Sequence, residues 1–192
     1  MAYRGKVFVK GEFYHLFNRG VNRGKIFHSD ANYAYCLRLM RKYAAGYQIT
    51  LCSYCLMPNH FHLLVCQKGG DSVSPFINAT FNAYVQALNK QINRSGPLFE
   101  GRFRYLHVDR NEYLIHLCRY IHLNPVTAGL VVHPEDWPFS DYREAVADNV
   151  YMFTENNILS SSFDNPKEYK EFVTSHLAEK NLTYRLRKYI FD

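Results

Sequence analysis

The sequence predicts an α+β fold in which strands and helices alternate around one main core. Hydrophobic residues make up 47% of the 192 residues, enough to bury a core of this size. Apolar residues recur at strand spacing in four segments and at helical spacing in three longer ones. Since no repeat or low-complexity linker separates them, we expect one domain over residues 1–142 and a helical extension over residues 143–192.

The first part of the chain predicts a strand, a helix and two further strands, over residues 11–20, 30–45, 47–56 and 61–66. Asp30 can cap the helix, because its side chain can accept a hydrogen bond from the first turn. Met57-Pro58-Asn59 separates the last two strands, since proline and asparagine favour a turn. The boundary of the following strand can shift so that His60 becomes its first residue.

The second part predicts a helix, a strand and a helix, over residues 71–93, 102–108 and 111–124. Apolar residues from Phe76 to Ile92 form the core face of the first helix, and amide side chains cover much of the rest, which we interpret as solvent-facing. Gly96-Pro97 breaks this helix, and Pro125 is expected to stop the last one. A basic helix is expected over residues 166–190.

The resulting order is β-α-β-β-α-β followed by one more helix, which is the order of the ferredoxin-like arrangement with an added helix. We therefore expect a four-stranded antiparallel sheet with helices packed on it. The helical extension would follow at the C-terminal end, where it could contact DNA, cover the active site or pack on the same domain.

Composition limits the class of protein. The net charge is +6 and the pI is about 9.0, and with 16% aromatic residues this suits a surface that neutralises phosphates and stacks bases. No run of eighteen apolar residues and no signal-peptide pattern is found, so we expect no membrane span and a cytoplasmic location. The five cysteines do not form a disulfide pattern, which agrees with a reducing compartment.

The segment MPNHFHLLV, residues 57–65, places two histidines one residue apart in an apolar run. Side chains of a strand alternate, so His60 and His62 share one face and can bind a metal; an ordinary half-buried strand is the alternative. Cys52 and Cys55 precede them and suggest a zinc site. Because they are an odd number of residues apart, these two cysteines should face opposite sides of a regular strand, which argues against that site.

The helix EYLIHLCRYIHLN carries the next candidates. Its buried stripe is predicted to consist of Leu114, Leu117, Cys118 and Ile121. Tyr120 and Asn124 lie one turn apart along its edge, and an amide oxygen beside two histidines could complete a Mg²⁺ or Mn²⁺ site. Spacing alone does not favour Tyr120 over Tyr113 or Tyr84.

Five blocks carry a resemblance to a known family: YHLFNRG, MPNHFHLLV, SGPLFEGRFR, RYIHLNPVTAGLV and WPFSDY. In this order and spacing, over about residues 11 to 142, the chain resembles the REP-associated tyrosine transposases. These are a single-tyrosine HUH group related to the transposases of insertion sequence 200/605 type. Two departures stand out, namely the cysteine pair before the histidines and Asp141 in the last block, where serine is common.

The resemblance implies a site and a reaction. His60 and His62 would bind a divalent metal, Mg²⁺ or Mn²⁺, with Asn124 as the third ligand, and Tyr120 on the added helix would be the nucleophile. The enzyme would cleave and rejoin single-stranded DNA beside a hairpin through a 5′-phosphotyrosine intermediate. It would work as a monomer or homodimer in the bacterial cytoplasm, associated with the nucleoid when bound to DNA.

Basic side chains near these blocks are candidates for DNA contacts. Arg102 and Arg104 alternate onto one face of the predicted fourth strand, and Arg19, Arg23 and Lys25 crowd the loop after the first strand. Solvated surface charge is the alternative interpretation of each residue. For the whole chain, the alternatives are a non-catalytic nucleic-acid-binding ferredoxin-like module and a zinc-stabilised structural protein.

Overall fold

The computed structural model describes residues 8–70, 73–109, 111–147, 158–159 and 161–175. Its strands are β1 (Phe13–Arg19), β2 (Ile49–Met57), β3 (His60–Gln67) and β4 (Arg104–Val108). Its α-helices are α1 (Asp30–Gly46), α2 (Val73–Gln91), α3 (Asn111–Thr127), α4 (Tyr142–Val146) and α5 (Pro166–Ser175). Short 3₁₀ turns occupy Val21–Arg23 and Pro134–Asp136.

The strands form one sheet in the order β2-β3-β1-β4, and every neighbouring pair is antiparallel. This confirms the predicted α+β fold with a ferredoxin-like βαββαβ core and a helical C-terminal part. The two middle strands are β1 and β3, so the histidine pair of β3 lies in the interior of the sheet. His60 is indeed the first residue of its strand.

Side-chain alternation divides the core into two layers. On one face of the sheet Leu16 and Leu63 pack under α1 and α2, with Phe81 of α2 among their buried neighbours. On the other face Leu64 packs with Leu117 of α3 and with buried residues of α4 and α5. The even-numbered residues of β3 from His60 to Cys66 point to this second face, so the site lies between the sheet and α3.

The end of α3 differs from the prediction. Pro125 lies inside the helix rather than stopping it, and the helix runs to Thr127. Pro125 lacks the N–H that would bond to the carbonyl of Ile121, but the helix continues to Thr127 and the chain turns away at Gly129, whose φ is +68°. The amide of Leu130 donates to the carbonyl of Pro125 and that of Gly129 to Val126, which is a Schellman ending.

Two other boundaries also moved. Helix α2 ends at Gln91, so Ile92 is 37% exposed and was wrongly placed in the core; Asn93 follows in a left-handed conformation. The predicted start of this helix at Asp71 lies outside the described residues. Strand β4 begins only at Arg104, because Gly101 adopts a positive φ and the chain is still turning at Arg102.

A β-bulge in β2 overturns the expectation for the cysteine pair. Leu51 pairs with Val65 and Ser53 with Leu64, so Cys52 is the extra residue. The bulge resets the alternation, and Cys52 and Cys55 both join the α3-facing core, contrary to the prediction. Within the described part of the chain, however, no three His, Cys, Asp or Glu side chains are grouped to hold a metal, so the zinc tetrad is not assembled there.

The C-terminal part packs against α3 where it is described. Tyr169 and Val173 of α5 are buried in the α3-facing core. The predicted continuation of this helix to residue 190 lies outside the described residues. Among the residues that are described, no helix is both long and apolar enough to cross a membrane.

Candidate active site

The histidine pair opens β3 on its α3-facing side. His62 is 1% exposed, while His60, at the strand end, is half-buried. Their ring centroids are 5.1 Å apart and the ring planes are nearly perpendicular, at 82°. Across the sheet, His60 is paired with Arg19 and His62 with Phe17 of β1.

Each histidine has its Nδ1 atom engaged by a neighbour. His60 Nδ1 lies 2.7 Å from Oδ1 of Asn59, and His62 Nδ1 lies 3.0 Å from Nε2 of His15. His60 Nε2 lies 3.3 Å from Asn124 Oδ1. His62 Nε2 is buried without a hydrogen-bond partner in the described structure, which is costly for a polar atom unless something else binds it.

Asn124 is oriented by its own helix. Its Nδ2 donates to the carbonyl oxygen of Tyr120 at 3.1 Å, one turn earlier in α3, which leaves Oδ1 directed at His60. The structure thus brings together two imidazoles and one amide oxygen, all uncharged. Mn²⁺ and Mg²⁺ bind nitrogen and oxygen donors of this kind in preference to thiolates.

Burial favours the neutral form of both imidazoles, because desolvation lowers their pKa values. Desolvation lowers the pKa of His60, against the hydrogen bond to Asn124 that raises it, and nearby Arg19 lowers it further. Desolvation also lowers the pKa of His62 well below its usual value, with smaller contributions from His15 and His60. A metal ligand must be a neutral imidazole, so these shifts preserve the required form near neutral pH.

Tyr120 is the tyrosine that the fold places beside the histidines. Its half-buried ring lies edge-on to His62, with the centroids 5.3 Å apart. Tyr84 is in the opposite core layer, where its hydroxyl donates to the carbonyl of Ile26 at 2.5 Å. Tyr113 lies seven residues earlier in α3, roughly 10 Å along the helix axis. The structure therefore separates three candidates that spacing left equal.

Two of the five basic candidates share the histidine face. Arg104 pairs with Phe17 of β1, which itself pairs with His62, so these side chains form a row on one face. Arg19 lies opposite His60, and its Nε is 2.5 Å from Glu100 Oε2, an ion pair that lowers the pKa of Glu100.

The other three basic residues lie outside strands. Arg102 is exposed in the turn before β4, so the prediction that it alternates with Arg104 within one strand is wrong. Arg23 and Lys25 are exposed in the loop after β1, where Asn22 and Arg23 both have positive φ. Contact of these three residues with a nucleic acid stays a prediction.

A buried polar cluster was missed by the sequence reasoning. Asp141 Oδ1 lies 3.0 Å from His122 Nε2 and accepts hydrogen bonds from the hydroxyl of Ser53 and the amide of Tyr54, at 3.1 and 2.6 Å. His122 Nδ1 is 2.7 Å from the hydroxyl of Tyr169. Through His122, two residues after Tyr120, the cluster connects α3 to β2, to the start of α4 and to α5. Asp141 was visible in the sequence only as a departure from the family pattern.

His15 was also missed. It is completely buried on β1, and its ring centroid lies 5.1 Å from that of His62. The sequence offers only a histidine in a strand; finding its partner required the register between β1 and β3.

A four-stranded antiparallel sheet whose histidine pair faces a tyrosine on the added helix indicates a transposase of the single-tyrosine class. The comparison with protein families agrees with this class. Residues 9–124, more than half of the chain, match the IS200-like transposase family, so the chain belongs to this family. This membership gives it a transposase role.

Relatives narrow the class further. A REP-associated tyrosine transposase of Escherichia coli strain K12 is 30% identical over 104 residues, covering 52% of this chain and 58% of the relative. A Haemophilus influenzae protein, provisionally named as a REP-associated tyrosine transposase, is 26% identical over 140 residues, covering 64% and 79% respectively. These matches confirm the resemblance drawn from the five sequence blocks.

A solved structure agrees with the fold. It is that of a REP-associated tyrosine transposase bound to a REP hairpin, with a TM-score of 0.66 and 20% identity. The match covers 79% of this chain and 88% of the other. At this identity the likeness concerns the fold alone.

Proposed function

We propose that the protein cleaves and rejoins single-stranded DNA beside a hairpin, with Tyr120 as the nucleophile. The observation that carries the proposal is the contact of α3 with the histidine pair of β3. The tyrosine ring of α3 lies edge-on to His62, and Asn124 of the same helix reaches His60 at 3.3 Å. The predicted nucleophile and the predicted ligands thus lie at one place although 58 residues of sequence separate His62 from Tyr120.

His60, His62 and Asn124 would hold a Mg²⁺ or Mn²⁺ ion. The fit rests on the buried Nε2 of His62, which lacks a hydrogen-bond partner in the described structure, and on the amide oxygen aimed at His60. When bound, the ion supplies positive charge that polarises a phosphate oxygen and stabilises the charge developing there. None of the three ligands carries negative charge that would offset this field.

Tyr120 would attack the phosphorus of one phosphodiester. The tyrosine hydroxyl loses its proton as a bond forms between its oxygen and phosphorus. The bond from phosphorus to the 3′-oxygen breaks, and that oxygen gains a proton and leaves as a 3′-hydroxyl, so the number of protons balances. The product is a 5′-phosphotyrosine, which keeps the energy of the broken ester. A second 3′-hydroxyl can then reverse the step, so strands are rejoined without ATP.

The positive charge of the chain and the likeness of its fold to a DNA-bound structure favour DNA as the partner. The chain carries a net charge of +6, and Arg104 lies in the same cross-sheet row as His62. Arg19, Arg23, Lys25 and Arg102 would extend the phosphate contacts beyond this row. The structural neighbour with the same fold is bound to a REP hairpin, which suggests that a hairpin is recognised here as well.

The buried cluster around Asp141 supports a tyrosine that acts on the site of its own chain. It fixes α3 to β2 of the same chain through His122 and Ser53. An exchanged helix would have to form the same buried contacts with the partner subunit, whereas within one chain Tyr120 already lies beside His62. We therefore favour a catalytically complete monomer over a homodimer that shares its tyrosines.

The structure disfavours a non-catalytic module that stacks bases on an open sheet. Such modules expose aromatic rings on one sheet face. Here helices cover both faces, and the strand aromatics Tyr14, Tyr54 and Phe61 are at most 3% exposed. Of the described strand aromatics, only Phe13 and Tyr105 are half-buried rather than buried, so stacking several bases on this sheet would require a helix to detach.

Covalent trapping tests the proposal. Purified protein is mixed with hairpin-bearing single-stranded DNA, labelled at either end, with Mg²⁺, Mn²⁺ or a chelator, and the products are separated on a denaturing gel. We expect a protein–DNA band that carries only the label downstream of the cleaved bond, requires the metal, and is lost in Tyr120→Phe.

Tyr113→Phe is the matched control, since it also removes a tyrosine hydroxyl from α3 but at a different position. It should retain the covalent band. A band that persists in Tyr120→Phe and disappears in Tyr113→Phe would transfer the nucleophile to Tyr113. Tight hairpin binding with no cleavage in either metal would support the binding module instead.

A further inference from the structure

The buried histidine of β1 makes a contact that the proposed reaction does not yet use. His15 is completely buried, and its Nε2 lies 3.0 Å from Nδ1 of His62. The two rings are nearly parallel, at 23°. This is the geometry of a direct hydrogen bond between imidazoles, and such a bond requires that one of the two nitrogens carries a proton and the other does not.

The bond admits two arrangements of protons. In the first, His62 carries its proton on Nδ1 and donates to His15, so the lone pair of His62 Nε2 is free to bind a cation. In the second, His15 donates to His62 Nδ1, and the proton of neutral His62 then sits on Nε2, where it blocks binding. Which arrangement exists decides whether His62 is a ligand.

The position of His62 Nε2 favours the first arrangement. Burial alone does not decide, because either arrangement places one N–H at a buried ring nitrogen, His15 Nδ1 or His62 Nε2. Of these two atoms, His62 Nε2 belongs to the ring that lies beside His60 and Tyr120, where its lone pair can bind a cation together with His60 and Asn124. The neighbouring histidine shows the same design, because His60 Nδ1 faces the Asn59 oxygen at 2.7 Å and its Nε2 faces Asn124. In both rings Nδ1 has a partner that can accept a proton, and Nε2 faces the site.

We propose that His15 is a positioning residue that holds His62 in the tautomer protonated on Nδ1, with the Nε2 lone pair directed into the site. The inference rests on the proposed function, since it assigns the metal ligand its supporting partner. Ligating histidines commonly donate their second nitrogen to a carboxylate or carbonyl. Here a neutral imidazole takes that place, which adds no negative charge near the bound phosphate.

Nitrogen NMR of the metal-free protein tests the tautomer directly. With ¹⁵N-labelled histidine, a protonated ring nitrogen is distinguished from a bare one by its chemical shift, and His62→Gln assigns the signal among the nine histidines. We expect His62 to be protonated on Nδ1 and bare at Nε2. A proton on Nε2 in the wild-type protein would overturn the inference.

Metal affinity provides the second test, with Mn²⁺ titrated and the free ion counted by electron paramagnetic resonance. His15→Leu removes the acceptor at similar volume and should weaken Mn²⁺ binding about 10- to 100-fold. His15→Gln restores an acceptor oxygen and should bind Mn²⁺ nearly as tightly as wild type. His107→Leu, which removes an exposed imidazole of β4, is the matched control and should bind Mn²⁺ normally.

The outcomes separate the two proposals. Equal Mn²⁺ affinity in wild type and His15→Leu would show a merely structural role, as would equal losses in the Leu and Gln variants. If His15→Leu does not fold, the wild-type tautomer and His15→Gln still decide. If the tautomer and the affinities follow the expectation but no covalent DNA band forms, the inference stands and the proposed cleavage fails.

Discussion

Removing the carboxylate of Asp141 should destabilise the protein more than any surface substitution. The side chain is almost completely buried, and one oxygen serves three partners, namely the amide of Tyr54, the hydroxyl of Ser53 and Nε2 of His122. Asp141→Ala removes that acceptor from all three groups. Ser53 Oγ and His122 Nε2, 3.1 Å apart, can still pair with each other, but the buried amide of Tyr54 loses its acceptor. Since α3 is fixed to the sheet through His122, the loss also loosens the helix that carries Tyr120.

The magnitude follows from these contacts. A buried donor that loses its acceptor costs about 1–3 kcal/mol, and this one oxygen serves three partners. The donors share one oxygen and their costs are not additive, so we expect a loss of about 3–5 kcal/mol in the free energy of unfolding. For a chain of this size, 1 kcal/mol corresponds to about 2–4 °C in Tm, which gives a decrease of about 6–20 °C.

Urea unfolding followed by circular dichroism measures the loss, with thermal melts in parallel. Asp141→Asn keeps one oxygen that can accept from the Tyr54 amide and should lose less than Asp141→Ala. Asp136→Ala, at an exposed aspartate, is the control and should stay within about 0.5 kcal/mol of wild type. If Asp141→Ala proves no less stable than Asp136→Ala, the cluster does not hold α3 in place.

Two further perturbations test the helix end and the DNA surface. Gly129→Ala places a side chain at φ +68° with open space around it, and should lower the free energy of unfolding by about 1 kcal/mol. Gly46→Ala at the end of α1 is the control and should leave this free energy unchanged or raise it. Equal effects of the two substitutions would refute the role of the left-handed ending. Arg104→Gln should weaken single-stranded DNA binding and reduce the slope of log affinity against log salt by about 1, while exposed Arg38→Gln of α1, on the other sheet face, should leave both unchanged. Identical salt slopes in the two variants would remove Arg104 from the DNA surface.

Much of the fold followed from the sequence because strand and helix periodicities are local signals. The buried stripe of α3, from Leu114 to Ile121, was predicted correctly. The failures have two causes. The bulge at Cys52 depends on pairing with β3, which is tertiary context. The continuation of α3 past Pro125 to the left-handed ending at Gly129 is a local signal that the proline outweighed in the prediction.

The candidate site was also predicted only in part from the sequence. Spacing proposed His60 and His62, but the choice among three tyrosines needed the family resemblance before the structure and the packing of α3 after it. His15 and Asp141 could not be found by spacing, because their partners lie 47 and 19 residues away on other elements. Side chains that support a site are recognised by contacts, which sequence patterns do not contain.

The identity of the residue that carries the DNA tests the central claim most directly. The covalent complex is digested with nuclease and protease, and the peptides are sequenced by mass spectrometry to locate the nucleotide adduct. We predict a phosphodiester on Tyr120, in the peptide that also contains Asn124, and no adduct on Tyr113. An adduct on any other side chain, or cleaved DNA with no adduct at all, would contradict the account.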